Sequence, residues 1–158
     1  MKKFNIVALG GTFDLIHRGH IELLRKGFSL SSKVIIGLTS DEFAQKKGKN
    51  LMNEYLQRYK TLDDFIKKNF PNTKYEISKL ENDFGPAVLE KDVEALVLSE
   101  ETSTKGNELN RLRRQRNIPD VEIIVVSMVL AKDGKRISTS RIRNSEIDVE
   151  GNILAVDK

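Results

Sequence analysis

The stretch Gly10-Gly11-Thr12-Phe13-Asp14-Leu15-Ile16-His17-Arg18-Gly19-His20 constrains this chain more than any other. It follows an apolar run, Phe4 to Leu9, with the character of a buried strand. It opens into Ile21-Glu22-Leu23-Leu24-Arg25-Lys26, with the character of a helix. A glycine-rich turn between strand and helix gathers backbone N–H groups and the positive end of a helix dipole at one point, where a phosphate can sit. His17 and His20 are three residues apart at that helix entrance and would face the same bound anion. They are also the only histidines in the chain. A lone histidine is ordinarily structural, but two inside one phosphate turn point to chemistry.

Strands and helices alternate along the rest of the sequence, which implies a parallel sheet covered on both faces. Lys33 to Thr39 is a second buried strand, and Ser40-Asp41 caps a short helix after it. Gln45-Lys46-Lys47-Gly48-Lys49-Asn50 then forms a polar loop just past a strand end, where open α/β sheets bind ligands. From Asn53 to Phe70 the apolar positions Leu56, Tyr59, Leu62, Phe65, Ile66 and Phe70 recur at helical spacing. Lys74 to Leu80 returns as a strand, Asn82 to Pro86 turns, and Val88 to Lys91 suits a short helix. Ala95 to Leu98 is another buried strand, ending in Ser99-Glu100-Glu101-Thr102. A polar helix, Lys105 to Asn117, leads to the strand Val121 to Ser127, and Ser138 or Thr139 caps a last helix containing Ile142.

The 158 residues make one domain, expected to span 1–148, with 149–158 as a tail or an edge addition. Charged residues at 32% and apolar ones at 39% give a globular balance with no run long enough to cross a membrane. Met1-Lys2-Lys3-Phe4 runs directly into the first strand without a signal-peptide pattern, and there is no cysteine; both favour a cytoplasmic protein. The net charge of +4 suits a polyphosphate binder. The densest basic run, Arg111 to Arg116, has no interleaved aromatic, so nucleic acid is not an expected partner.

His17-x-Gly19-His20 after Gly-Thr-Phe-Asp resembles the signature of the HxGH nucleotidyltransferase superfamily. Ile137-Ser138-Thr139-Ser140-Arg141-Ile142-Arg143 resembles that superfamily's I-S-S-T-x-x-R segment, with the serine and threonine order exchanged. Asp83-Phe84-Gly85-Pro86-Ala87-Val88 and Glu94 to Thr102 are similar to segments of the archaeal and eukaryotic-type pantetheine-phosphate adenylyltransferases. Gly106 and Asn110-Arg111-x-Arg113 extend the likeness, which covers Phe4 to Arg143.

The resemblance implies a Rossmann-like, doubly wound α/β domain with five parallel strands in the order 3-2-1-4-5. The site then lies at the carboxyl ends of strands 1 and 4, where the winding reverses. It implies transfer of the adenylyl group of ATP to 4′-phosphopantetheine, forming dephospho-coenzyme A and pyrophosphate. His17 and His20 would contact the triphosphate and stabilise the transition state, and Thr12 would orient the attacking phosphate. Outside the family, Thr12 reads equally well as a turn residue. Lys46 or Lys47 would reach the nucleophilic phosphate, although a lysine in a polar loop is ordinarily solvated surface. Gly10, Gly11, Thr12 and Phe13 would form the nucleotide loop, with Phe13 and Asp14 shaping it. Ser99 and Glu100 would contact nucleotide, Ser138, Thr139, Ser140 and Arg143 the β- and γ-phosphates, and Arg111 and Arg113 the acceptor.

A phosphate monoester is already an anionic nucleophile, so no general base is needed. Magnesium is expected to arrive with ATP, because no carboxylate cluster dedicated to a metal stands out. Two alternatives remain at this level. One is a cytidylyltransferase for glycerol phosphate or a related alcohol phosphate, to which Asp133 to Ser140 is a partial match. The other is a non-catalytic nucleotide or coenzyme A binder, which would have no need of both histidines, Thr12 and the serine run together.

Overall fold

The continuous β-branched runs form a single five-stranded sheet in the order β3-β2-β1-β4-β5, with all neighbours parallel. A computed structural model describes residues 2–85, 90–127, 129–135, 137–138, 141–142 and 144–154, with the side chain at 101 not included. In chain order the elements are β1 (Phe4–Gly11), α1 (Arg18–Leu30), β2 (Ser31–Thr39), α2 (Asp41–Lys46) and α3 (Tyr55–Asn69). They continue with β3 (Tyr75–Leu80), β4 (Ala95–Ser99), a 3-10 turn (Glu100–Thr102), α4 (Lys105–Gln115) and β5 (Glu122–Val126). This is a Rossmann-like α/β domain. The short helix expected at Val88 to Lys91 falls largely outside the described residues.

Side chains alternate across a strand, so each buried run serves two cores. Val7 and Leu9, Val34, Ile36 and Leu38, and Ala95 and Val97 point to one face. There they pack with Leu24 and Phe28 of α1 and Leu62 and Ile66 of α3. The intervening Ala8, Ile35 and Leu96 point to the other face, where Leu109 of α4 covers them. The chain winds outward from β1 through β2 to β3, then returns to β4 beside β1 and winds the other way. The segments leaving β1 and β4 therefore diverge, and a cleft opens between them.

Helix α3 turns a different face inward than its apolar spacing suggests. Its fully buried residues are Arg58, Leu62 and Ile66, whereas Leu56 is 80% and Tyr59 38% exposed. Beyond β5, Ala131, Ile137 and Ile147 form a third small cluster. Residues 149–154, expected as part of a tail or an edge addition, make contacts with the domain. Ile147 bridges Ile153 antiparallel, and the Arg18 N–H at the start of α1 donates to the Val149 carbonyl at 3.3 Å. No helix among the described residues is long and apolar enough to cross a membrane.

Candidate active site

The cleft between the ends of β1 and β4 is a cavity of ≈ 390 Å³. Gly10, Gly11 and Thr12 enter it from β1, His17 and His20 from the start of α1, and Lys49 from the loop after α2. Ser99 and Thr102 line it below β4, and Ser127, Val129, Ile137 and Ser138 complete the wall beyond β5.

The two histidines cap the helix they begin. His17 is the N-cap residue of α1, and its Nδ1 accepts the Gly19 N–H at 3.0 Å. His20 reaches back, its Nδ1 accepting the His17 N–H at 3.3 Å, which closes a reciprocal capping box. With both Nδ1 atoms engaged as acceptors, each ring when neutral keeps its proton on Nε2 as a donor. The rings stack with centroids 4.0 Å apart, and Phe13 supports His20 from beneath at 4.7 Å. Burial holds the His20 imidazole well below its usual value of 6.5. Repulsion from His17 adds to this, the Leu15 carbonyl opposes it, and Lys49 lowers it a little further.

The glycine of the motif is explained by close approach. A Cβ at Gly19 would lie 2.8 Å from His17 Cε1 and 3.0 Å from its Nδ1. Alanine is otherwise the better helix residue, by about 1 kcal/mol. Gly19→Ala is therefore expected to leave the thermal midpoint nearly unchanged while cutting kcat about 10-fold or more, since it pushes the His17 ring aside. Thermal melts and steady-state rates on one preparation check this.

Thr12 Oγ1 and Lys49 Nζ lie 3.0 Å apart across the cavity mouth. Two buried groups, Asp14 and Arg58, and the half-exposed Asp41 hold that pair. Asp14, 5% exposed, accepts the Met52 N–H at 2.8 Å and the Asn53 N–H at 3.0 Å, pinning the far end of the Lys49 loop. Arg58, 1% exposed, donates to the Thr12 carbonyl at 2.8 Å, the Asn53 carbonyl at 3.1 Å and Asp41 Oδ1 at 2.7 Å. Asp41 accepts the Tyr55 N–H at 3.1 Å as well. Burial pushes the Asp41 carboxyl up, but the Arg58 hydrogen bond, the Tyr55 N–H and the nearby cations outweigh it and leave it below the usual carboxylate value.

Gly10, Gly11, Thr12, His17, His20, Ser99 and Ser138 all line the cavity. Thr139, Ser140 and Arg143 lie outside the described residues. Phe13 is fully buried under the site with φ 49°, a backbone shape that turns the chain after Thr12, and does not line the cavity. Glu100 faces solvent in the 3-10 turn. Lys46 ends α2 and is exposed, while Lys47 pairs with Asp83 at 2.9 Å and lies over the Phe43 ring. Neither lines the cavity; Lys49, the lysine that follows Gly48, does. The Ser40 cap and the length of the helix it starts were the signals for that register.

Arg111 lies on the exposed face of α4, paired with Glu108 three residues back. Arg113 points the other way. It is 1% exposed and donates to the carbonyls of Pro119, Glu90 and Val93, so it ties α4 to the segments flanking β4 and β5. Arg113→Ala strands three carbonyls and should cost about 2–4 kcal/mol of stability, with ligand affinities of the folded protein unchanged. Arg111→Ala should cost under about 1 kcal/mol. Denaturant titration beside ligand titration checks both.

Residues 8–145 match the cytidylyltransferase-like family model. The phosphopantetheine adenylyltransferase of Methanothermobacter thermautotrophicus is 39% identical over 153 residues, 97% of this chain and 92% of that protein. The protein of the same name from Pyrococcus horikoshii is 42% identical over 154 residues, 96% of each. Among solved structures, a protein of unknown function from Archaeoglobus fulgidus superimposes with a TM-score of 0.71 at 25% identity, over 85% of this chain and all of that one.

Proposed function

The chain belongs to the cytidylyltransferase-like family, on its phosphopantetheine adenylyltransferase branch, and on that premise we propose that it transfers the adenylyl group of ATP to 4′-phosphopantetheine. The products are dephospho-coenzyme A and pyrophosphate. One observation carries the reading: two imidazoles, a hydroxyl and an ammonium converge on a single cavity at the point where the sheet winding reverses.

In this reading an oxygen of the acceptor phosphate attacks the α-phosphorus of ATP, forming the new P–O–P bond as the bond to the pyrophosphate oxygen breaks. The acceptor phosphate and the triphosphate are both anions and repel each other on approach. Lys49 offsets that repulsion and Thr12 donates to the acceptor phosphate, so the two act as its seat. Lys49 takes the role expected of Lys46 or Lys47, because it is the lysine that lines the cavity. The imidazole N–H donors of His17 and His20 stabilise charge gathering on the α-phosphate and the leaving pyrophosphate. The Ser138 hydroxyl starts a helical turn, accepting the Arg141 N–H at 3.3 Å, and the start of such a turn suits the β- and γ-phosphates.

Magnesium enters as part of the substrate, MgATP. Among the described residues no group of three or more His, Cys, Asp or Glu is arranged to hold a metal. The carboxylate on the cavity wall, Asp14, has both oxygens occupied by backbone N–H groups. The compartment this reading implies is the cytoplasm.

Pyrophosphate release with MgATP or MgCTP against a panel of phosphorylated acceptors tests the proposal. Turnover is expected with ATP and phosphopantetheine, and little with CTP. Robust cytidylyl transfer to glycerol phosphate, with none to phosphopantetheine, would overturn the substrate assignment.

A further inference from the structure

Arg58 and Arg113 carry the largest fully buried side chains among the described residues, and Arg58 is the one beside the cavity. A guanidinium taken out of water loses several kcal/mol of hydration, so it survives burial only with a full set of acceptors. Its position makes the burial harder still. It sits in the first turn of α3, at the positive end of the helix dipole, where a cation is disfavoured. Its three acceptors offset that cost, so what the arginine does in the fold is to be read from them.

Those acceptors are distributed along the acceptor side of the cavity. The Thr12 carbonyl belongs to the residue whose hydroxyl lines the cavity, and the Asn53 carbonyl ends the loop that carries Lys49. Asp41, the third, opens α2, the helix from which that loop departs. One rigid fork thus joins the β1 turn to both ends of the Lys49 loop.

We infer that Arg58 is a positioning residue for the acceptor phosphate: by holding the Thr12 carbonyl, the Asn53 carbonyl and the Asp41 carboxylate together, it sets the spacing between the Thr12 hydroxyl and the Lys49 ammonium before the acceptor arrives. The inference rests on the adenylyl-transfer reading for its substrate and on geometry alone for its structural content. Arg58 touches no substrate. It acts through Thr12 and Lys49, and it leaves the Ser138 end of the cavity alone.

The test is a double-mutant cycle with a second readout that needs no turnover. Arg58→Lys keeps the charge but not the three-way fork. It should lower kcat/KM for phosphopantetheine about 10- to 100-fold while the dissociation constant for ATP moves less than about 3-fold. On a Lys49→Ala background the same change should cost less than about 3-fold, because the spacing it controls no longer matters. A purely structural arginine predicts a lower thermal midpoint with equal kinetic cost on both backgrounds, and that result overturns the inference. Asp41→Asn, which weakens one arm of the fork, should shift phosphopantetheine kinetics in the same direction by a smaller factor, and serves if Arg58→Lys does not fold. Acetic anhydride labelling read by mass spectrometry reports Lys49 reactivity relative to the exposed Lys46. That ratio should rise in Arg58→Lys; if it does not, the inference fails even in a wild-type protein that turns over no acceptor, which by itself would sink only the functional reading.

Discussion

His20→Ala is expected to lower kcat about 100-fold or more while moving the KM for ATP far less, because the ring acts on charge that develops during transfer. Part of the cost will appear as stability. The imidazole is the N3 member of the capping box and packs on both His17 and Phe13. Losing a cap of this kind costs about 1 kcal/mol. Kinetics and thermal midpoint measured on one preparation separate the two effects: a packing histidine would destabilise the protein yet leave the folded fraction turning over normally.

The depressed His20 pKa adds a pH signature whose sign is fixed. The folded protein binds the proton less readily than the unfolded chain, whose imidazole titrates near 6.5. The stability associated with neutral His20 is therefore complete above about pH 6.5 and is lost as pH falls toward the folded value. The stability gap between wild type and His20→Ala should narrow over that acid range. Only two histidines exist, so the His20 resonance can be assigned by proton NMR, and its midpoint should lie well below 6.5. A midpoint at or above 6.5 would contradict the geometry.

The strands were readable because a parallel sheet buried on both faces writes itself as unbroken β-branched runs. Lys33 to Thr39 became Ser31–Thr39, and Ala95 to Leu98 became Ala95–Ser99, differences confined to the ends. The strand order came from the family resemblance, since periodicity carries no neighbour information. What stayed hidden were the charged residues that fold inward. Composition assigns arginines to the surface, yet Arg58 and Arg113 are among the most buried side chains. The inward face of α3 is hidden for the same reason. The inward line runs Arg58, Leu62, Ile66, and the arginine in it made Leu56 and Tyr59, which lie off that line, resemble the core face. Within the site the histidine turn was legible because its chemistry is local in sequence. Thr12 and Lys49 meet only through tertiary structure, 37 residues apart.

Lys49→Ala is the second large effect expected. The ammonium lies 3.0 Å from Thr12 Oγ1, where the acceptor phosphate is proposed to sit, and its charge offsets the repulsion between two phosphates throughout the approach. Removing it should slow single-turnover transfer about 100-fold and weaken phosphopantetheine binding, while ATP held at the Ser138 end binds nearly as before. The neighbouring lysines supply the control. Lys46 is exposed at the end of α2, so Lys46→Ala should change neither affinity nor rate. Lys47 pairs with Asp83 and covers Phe43, a partly exposed contact of small energetic weight, so Lys47→Ala should have at most a few-fold effect through the loop it begins. Equilibrium titration of each variant with ATP and with phosphopantetheine, joined to single-turnover rates, decides among the three. Loss confined to ATP affinity in Lys49→Ala would move the ammonium to the triphosphate. Loss in Lys46→Ala with Lys49→Ala normal would mean that the loop rearranges when substrate binds, and that the seat seen between Thr12 and Lys49 is not the one that works.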